Sequence, residues 1–194
     1  MANTDRPNGF RPAKSLLGTD WNALVRYHEA ADRTADTTNR HGDIYIGDPV
    51  RIVSGKVQVA NFGEKVDGVC VAAGFDNAKV TSGDPGYFNP SALDRRHAPL
   101  ESAKYTIGVC PAEGVLFEVQ SASDLDLVIG SKADTTVAAN TAHGNTKTGQ
   151  SSAEITTASW GSVEVVEHVK SPDNDRSLTN ARYLVKFITP VDPN

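Results

Sequence analysis

The 194-residue sequence has no long apolar run and little cysteine, because Cys70 and Cys110 are the only two. A transmembrane helix needs about 20 apolar residues in succession, so the sequence predicts no membrane partner. The N-terminus lacks the apolar region of a signal peptide, and there is no Asn-X-Ser/Thr acceptor for N-glycosylation. We therefore expect synthesis in a cytoplasm, where both cysteines stay buried free thiols rather than a disulfide.

The motifs of common enzymes and cofactor sites are also missing. The sequence has no P-loop, no G-x-G-x-x-G, no G-x-S-x-G and no C-x-x-C. No two of its five histidines stand at a metal-ligand spacing. The carboxylates of segment 121–134 do not follow the spacing of an EF-hand loop. The sequence therefore predicts no enzyme and no catalytic, cofactor-binding or metal-binding residue.

Basic charge is too sparse for a nucleic-acid footprint, since the net charge is −5. The charge is also uneven. The first 19 residues contain Arg6, Arg11 and Lys14 against Asp5 alone, whereas residues 61–194 are acidic. We predict no nucleic-acid partner, and an N-terminal segment whose positive charge suits an acidic protein surface.

Most of the chain carries the period-2 alternation and frequent turns of β-structure, with one short helix predicted over 91–98. The predicted strands lie at 23–29, 43–53, 55–60, 65–74, 104–110, 114–120, 161–169 and 181–189. Ser54-Gly55 makes residues 49–60 a predicted hairpin. These patterns predict a mainly β protein, either an antiparallel β-sandwich of the jelly-roll type or a β-barrel, and leave both open.

Composition divides the chain into an extended N-terminal arm (residues 1–20) and a single β-rich domain (residues 21–194). Two polar, turn-rich loop insertions are predicted in the domain, at about 75–103 and 131–153. Loops of this length are often functional or become ordered by a partner. We predict that the second insertion is too polar to pack in a core and is ordered by contact with a neighbouring subunit; the alternative is a loop without such a contact.

The arm contains two prolines and one aromatic residue, in the stretch "NTDRPNGFRP". Proline fixes the backbone φ angle, so a proline-stiffened arm loses less entropy when it binds. We predict that the arm docks on a partner through Phe10, Arg11 and Pro12, with Lys14 and Arg6 adding charge. The alternative is a terminus without a function.

Five stretches, taken together and in order, resemble the head-decoration, or capsid cement, proteins of tailed bacteriophages. They are "MANTDRPNGFRPAK" (1–14), "IGDPV" (46–50), "GVLFEVQ" (114–120), "KTGQSSAEI" (147–155) and "SPDNDRSLTNARYLVKFI" (171–188). Asn8 departs from the apolar residue that the family often has before the glycine, and 75–103 is less regular.

The resemblance implies a β-rich structural protein of the virion, without cofactor or chemistry. Such a protein binds the major capsid protein on the outside of the head, commonly as a homotrimer, and stabilises the shell against the pressure of packaged DNA. One alternative is a phage tail or host-surface module that binds a glycan. Another is a sugar hydrolase using Glu113 and Glu118, whose side chains we expect on opposite faces of one strand.

Overall fold

The computed structural model describes residues 3–31, 44–75, 105–137, 144–145 and 150–188. These residues are mainly β, which confirms the predicted fold class. A single short 3₁₀ helix, Trp21–Leu24, lies in this part of the chain. The strands are β1 Arg11–Ser15, β2 Arg26–Ala30, β3 Pro49–Val53, β4 Lys56–Val59, β5 Gly68–Phe75, β6 Tyr105–Pro111, β7 Val115–Gln120, β8 Lys132–Thr135, β9 Gly144–Asn145, β10 Gln150–Ser151, β11 Ile155–Thr157, β12 Val163–His168 and β13 Arg182–Phe187.

Five strands close into a barrel in the order β2-β4-β3-β5-β6. The predicted hairpin over 49–60 is confirmed as β3 and β4. Its turn places Ser54 at φ 52° and Gly55 at φ 81°, the left-handed pair that a two-residue type I′ turn requires. The barrel closes through a two-residue parallel pairing, in which Glu29 lies opposite Lys56 and Ala30 opposite Val57.

The second layer is a six-stranded sheet in the order β1-β7-β13-β12-β8-β11. Alternate side chains of its central strands are buried, as the alternation in the sequence predicts; they include Phe117, Val119, Tyr183 and Val185. These side chains pack in one hydrophobic core with Val69, Ile107 and other barrel residues. The protein therefore contains a closed barrel, one of the two predicted alternatives, together with an antiparallel sheet that shares its core.

The N-terminal arm does not stand apart from this domain. β1 pairs antiparallel with β7 at the edge of the six-stranded sheet. Phe10, directly before β1, is only 1% exposed and belongs to the shared core. Arg11–Ser15 of the predicted arm forms β1 and Phe10 lies in the core, so this part of the arm belongs to the body of the protein. The physical reason is that burying a Phe side chain stabilises a fold by about 1.5–3 kcal/mol.

The predicted 131–153 insertion is wrong over most of its described residues. β8 lies inside the six-stranded sheet, between β12 and β11. Buried residues occur at both ends of the segment: Ala133, Asp134, Thr135, Val137, Ser151 and Ala153. Ala133, Val137 and Ala153 belong to the hydrophobic core, and the Asp134 carboxylate accepts hydrogen bonds from backbone N–H groups. The 91–98 helix and the 75–103 insertion beyond Phe75 lie outside the described residues.

Both cysteines are buried and free, as predicted. They lie on the paired strands β5 and β6, where Val69 is opposite Cys110 and Cys70 is opposite Val109. Directly opposite residues share one face of a sheet and adjacent residues do not. The two thiols therefore point to opposite faces and do not meet. Burial raises the pKa of the Cys110 thiol to about 11 and raises the pKa of Cys70 further.

Candidate partner-binding surface

The five predicted partner-binding residues differ in their solvent exposure. The side chains of Arg6, Arg11 and Lys14 are exposed, and Pro12 is half-buried. Phe10 is buried in this chain's own core. The three cationic residues therefore share one exposed segment, whereas the aromatic residue fixes that segment to the domain.

Phe10 fits a site that leaves no space for a partner. Its ring centroid lies 4.9 Å from that of Phe187, and its backbone N–H donates to the Gly47 carbonyl at 2.8 Å. The preceding Gly9 has φ 66°, and a Cβ there would lie 2.5 Å from the Gly47 oxygen. Any larger residue at position 9 would push the arm away from the Gly47 backbone. Phe10 is therefore not exposed for the predicted capsid contact, because its apolar surface is already buried in this chain.

The beginning of the described arm is tied to the loop that precedes β13. The Asn3 side-chain amide donates to the carbonyl oxygens of Asp175, at 2.7 Å, and Thr179, at 3.0 Å. The Asn3 side-chain oxygen in turn accepts from the Asp175 N–H at 2.7 Å. Both ends of the segment from Asn3 to Phe10 are therefore fixed to the domain.

The middle of the arm crosses a polar cluster centred on Gln120, at the end of β7. The Arg6 N–H donates to the Gln120 side-chain oxygen at 3.0 Å. The Gln120 amide nitrogen lies 3.1 Å from Asp5 Oδ1 and 2.8 Å from Glu154 Oε1. Burial raises the pKa of Glu154, the Gln120 hydrogen bond opposes this effect and the nearby Asp5 carboxylate adds to it. The Asp5 and Glu154 carboxylates therefore repel each other, and the Gln120 amide between them reduces this repulsion.

β1 presents the exposed side of the arm. Among the described residues it pairs with β7 only, so its other edge is open. A register shift lies between Pro12 and Lys14, and Pro12 has no N–H to offer. Bulges and prolines are devices that keep edge strands from pairing indiscriminately. Recognition at this edge therefore depends on side chains, foremost Arg11 and Lys14.

An exposed apolar surface follows directly after β1, and the sequence-based prediction missed it. Leu16 is 56% exposed, Leu17 61% and Tyr27 66%. Leu16 is held by its N–H, which donates to the Gly114 carbonyl at 2.7 Å. The doublet Leu16-Leu17 is its only sequence signal, and no alternation marks it as either core or surface.

The carboxylates considered for sugar hydrolysis do not form a pair. Glu113 is exposed in the turn before β7. Glu118 is half-buried on β7, where the Arg182 guanidinium contacts it at 3.4 Å. Within the described ranges, no group of three or more His, Cys, Asp and Glu side chains is placed to hold a metal ion.

Nowhere in the described residues does a helix reach the length and apolarity required to cross a bilayer. No protein-family model matches the chain, and no curated protein and no solved structure shows significant similarity to it. The function is therefore inferred from the resemblance of the sequence and from the surfaces described above.

Proposed function

We propose that this protein is a capsid-decoration (cement) protein of a tailed bacteriophage, and not an enzyme. It binds the major capsid protein on the outer surface of the head and stabilises the shell against the pressure of packaged DNA. The ordered resemblance between residues 1 and 188 supports this proposal. A β-rich protein is what the resemblance implies, and the described residues are mainly β.

The observation that carries the proposal is the exposed basic edge of the arm. Arg6, Arg11 and Lys14 are exposed along one segment, in a chain whose net charge is −5. Arginine forms bidentate hydrogen bonds with carboxylates, so an acidic strip on the capsid protein is the matching partner.

The way in which the arm is held favours tight binding. An arm that is disordered before binding loses conformational entropy on contact, and this cost subtracts from affinity. Here Asn3 and Phe10 already fix the arm, so little ordering remains. If three copies form the homotrimer that the resemblance implies, each trimer presents three such edges, and effective concentration multiplies weak contacts.

The test is the binding of purified protein to shells that lack it. The variant Arg6→Glu/Arg11→Glu reverses two exposed charges, and Lys132→Glu/Lys170→Glu makes the same change at two exposed lysines elsewhere. Co-sedimentation with shells measures affinity, and calorimetry measures shell melting. We expect wild type and the control to bind and raise the melting temperature, and the arm variant to bind at least about tenfold more weakly.

Equal binding by the arm variant and wild type would show that the basic edge is not the contact. Binding of the wild type to host cells, without binding to shells, would favour the glycan-binding alternative. Circular dichroism of each variant confirms that the fold is intact, which is expected because the changed side chains are exposed.

A further inference from the structure

A second exposed apolar feature lies in the loop between β7 and β8, residues 124–130, which we call the knob loop. Val128 is 53% exposed and Ile129 67%, whereas Leu125 and Leu127 of the same loop are half-buried. β-Branched apolar side chains this exposed at a loop tip are the kind of feature that marks an interaction site when the loop holds them in place.

The knob loop is held firmly. Two side chains hydrogen-bond to the backbone of Leu127. The Leu127 N–H donates to the Tyr183 hydroxyl at 3.4 Å, and the Leu127 carbonyl accepts from His168 Nε2 at 2.6 Å. The Gly130 N–H donates to the Val165 carbonyl at 2.8 Å. Since a fixed loop loses little entropy on binding, Val128 and Ile129 are presented ready for contact.

The knob loop and the apolar surface after β1 lie at opposite ends of the six-stranded sheet. Leu16 is bonded to Gly114, directly before the start of β7. The knob loop contacts Tyr183, which lies opposite Val119 near the end of β7. Four residues of strand separate these ends by about 13 Å along β7 alone. The two surfaces therefore do not overlap and can be occupied together.

The charges around the two surfaces are opposite. The knob loop contains Asp124 and Asp126 and no basic residue, and the nearby Arg176 pairs with Asp126. The surface after β1, residues 14–27, contains Lys14 and Arg26; its one acidic residue, Asp20, caps the 3₁₀ helix by accepting from Asn22. The knob is thus an apolar feature with an acidic rim, and the surface after β1 is an apolar feature with a basic rim.

We propose that these two surfaces bind each other in neighbouring copies of the chain, head to tail. Val128 and Ile129 of one copy pack on Leu16 and Leu17 of the next, and Asp124 faces Arg26. Because the two sides of this contact differ, repetition builds a closed ring or an open chain rather than a two-fold dimer. The contact does not depend on the proposed function.

The experiment uses two variants that each break one side of the contact. Ile129→Asp places a charge in the knob, and Leu17→Asp places one on the surface that receives it. Val53→Asp is the control, because Val53 is 46% exposed on the β3–β4 hairpin, away from both surfaces. Sedimentation velocity over a wide concentration range gives the species present, and circular dichroism checks the fold.

Wild type and the control are expected to associate beyond the dimer. Each variant alone is expected to associate at least about tenfold more weakly, as for truncation of a central apolar contact. The decisive sample is the equal mixture of Ile129→Asp and Leu17→Asp. Each variant keeps one intact side, so the mixture forms a heterodimer and nothing larger.

A wild type that stays monomeric at all concentrations would overturn the proposal, and so would a mixture without heterodimer. Asp124→Lys is a second variant of the knob, which weakens association without adding or removing apolar area. Failure of this contact is distinct from failure of shell binding, because the shell test uses Arg6 and Arg11 and the present one leaves them unchanged.

Discussion

Replacing the buried Asp134 with asparagine is expected to destabilise the protein more than any other single exchange of a carboxylate for an amide at the sites described. Asp134 lies on β8 and is fully buried. Its Oδ2 accepts the backbone N–H groups of Ser159 and Trp160, and its Oδ1 accepts the Ser162 N–H at 2.9 Å and the Ser162 hydroxyl at 3.1 Å. One carboxylate therefore satisfies the whole turn that leads into β12.

Asparagine has a single side-chain acceptor, so one of these oxygen positions becomes an NH₂ group that faces donors. If it replaces Oδ2, two backbone N–H groups lose their partner. A hydrogen bond to a charged group contributes about 1.5–3 kcal/mol, and a buried donor left unsatisfied costs about 1–3 kcal/mol. We expect a loss of roughly 3–5 kcal/mol, which lowers the melting temperature of a chain of this size by roughly 6–20 °C.

The measurement is urea unfolding of wild type, Asp134→Asn and the exposed control Asp124→Asn, with fluorescence of Trp160 and Trp21 as the signal. Burial raises the pKa of Asp134, but hydrogen bonds from Trp160, Ser159 and Ser162 outweigh it and leave the pKa below its ordinary value of 3.8. A lowered pKa adds stability above the unfolded-state pKa and loses it as the pH falls through the folded-state value. The difference between wild type and Asp134→Asn should therefore be complete at pH 7 and shrink below about pH 4. A difference under about 1 kcal/mol at pH 7 would refute this account.

Two further predictions concern the arm. Phe10→Ala empties a core position and should lower the free energy of unfolding by about 3–5 kcal/mol, measured by denaturant unfolding; an arm that served only as a partner anchor would leave it unchanged. Glu154→Gln keeps an acceptor for Gln120 and removes repulsion with Asp5. Because the raised pKa of Glu154 means that its charged form costs stability, the variant should melt higher than wild type at pH 7. This advantage should disappear as the pH falls below the ordinary value of 4.5; a lower melting temperature at pH 7 would contradict it.

Local signals in the sequence predicted the hairpin and the strands β2 to β7, β12 and β13, but not β1 or β8 to β11. The alternation of Tyr183 and Val185 with Leu184 and Lys186 matches their burial. Ser54-Gly55 predicted its turn because the left-handed conformation there favours few residues. The sequence did not allow us to predict that a barrel and a separate sheet occur together. Barrel closure rests on two residue pairs between β2 and β4, and no local pattern encodes them.

The differences between expectation and structure at Phe10 and at β8 have one cause. Residues that look exposed in the sequence are buried, because they find partners far away along the chain. Phe10 stands between glycine and arginine, and its partners Gly47 and Phe187 are distant in sequence. Asp134 makes its segment look polar, but backbone N–H groups more than twenty residues later compensate its burial. Composition cannot reveal such partners, because they are fixed only when the strands pair.

The contact between Phe10 and Phe187 has a consequence for how the chain folds. Its residues are 177 positions apart (187 minus 10), and β1 joins a sheet whose other strands all come from β7 or later. Contacts of such separation slow folding, because a long loop must close before they form. During synthesis, the first strand is made long before its partners and has to wait for them. Completion of the core should therefore wait until Phe187 has left the ribosome, and chaperone dependence should be greatest for chains that end before β13.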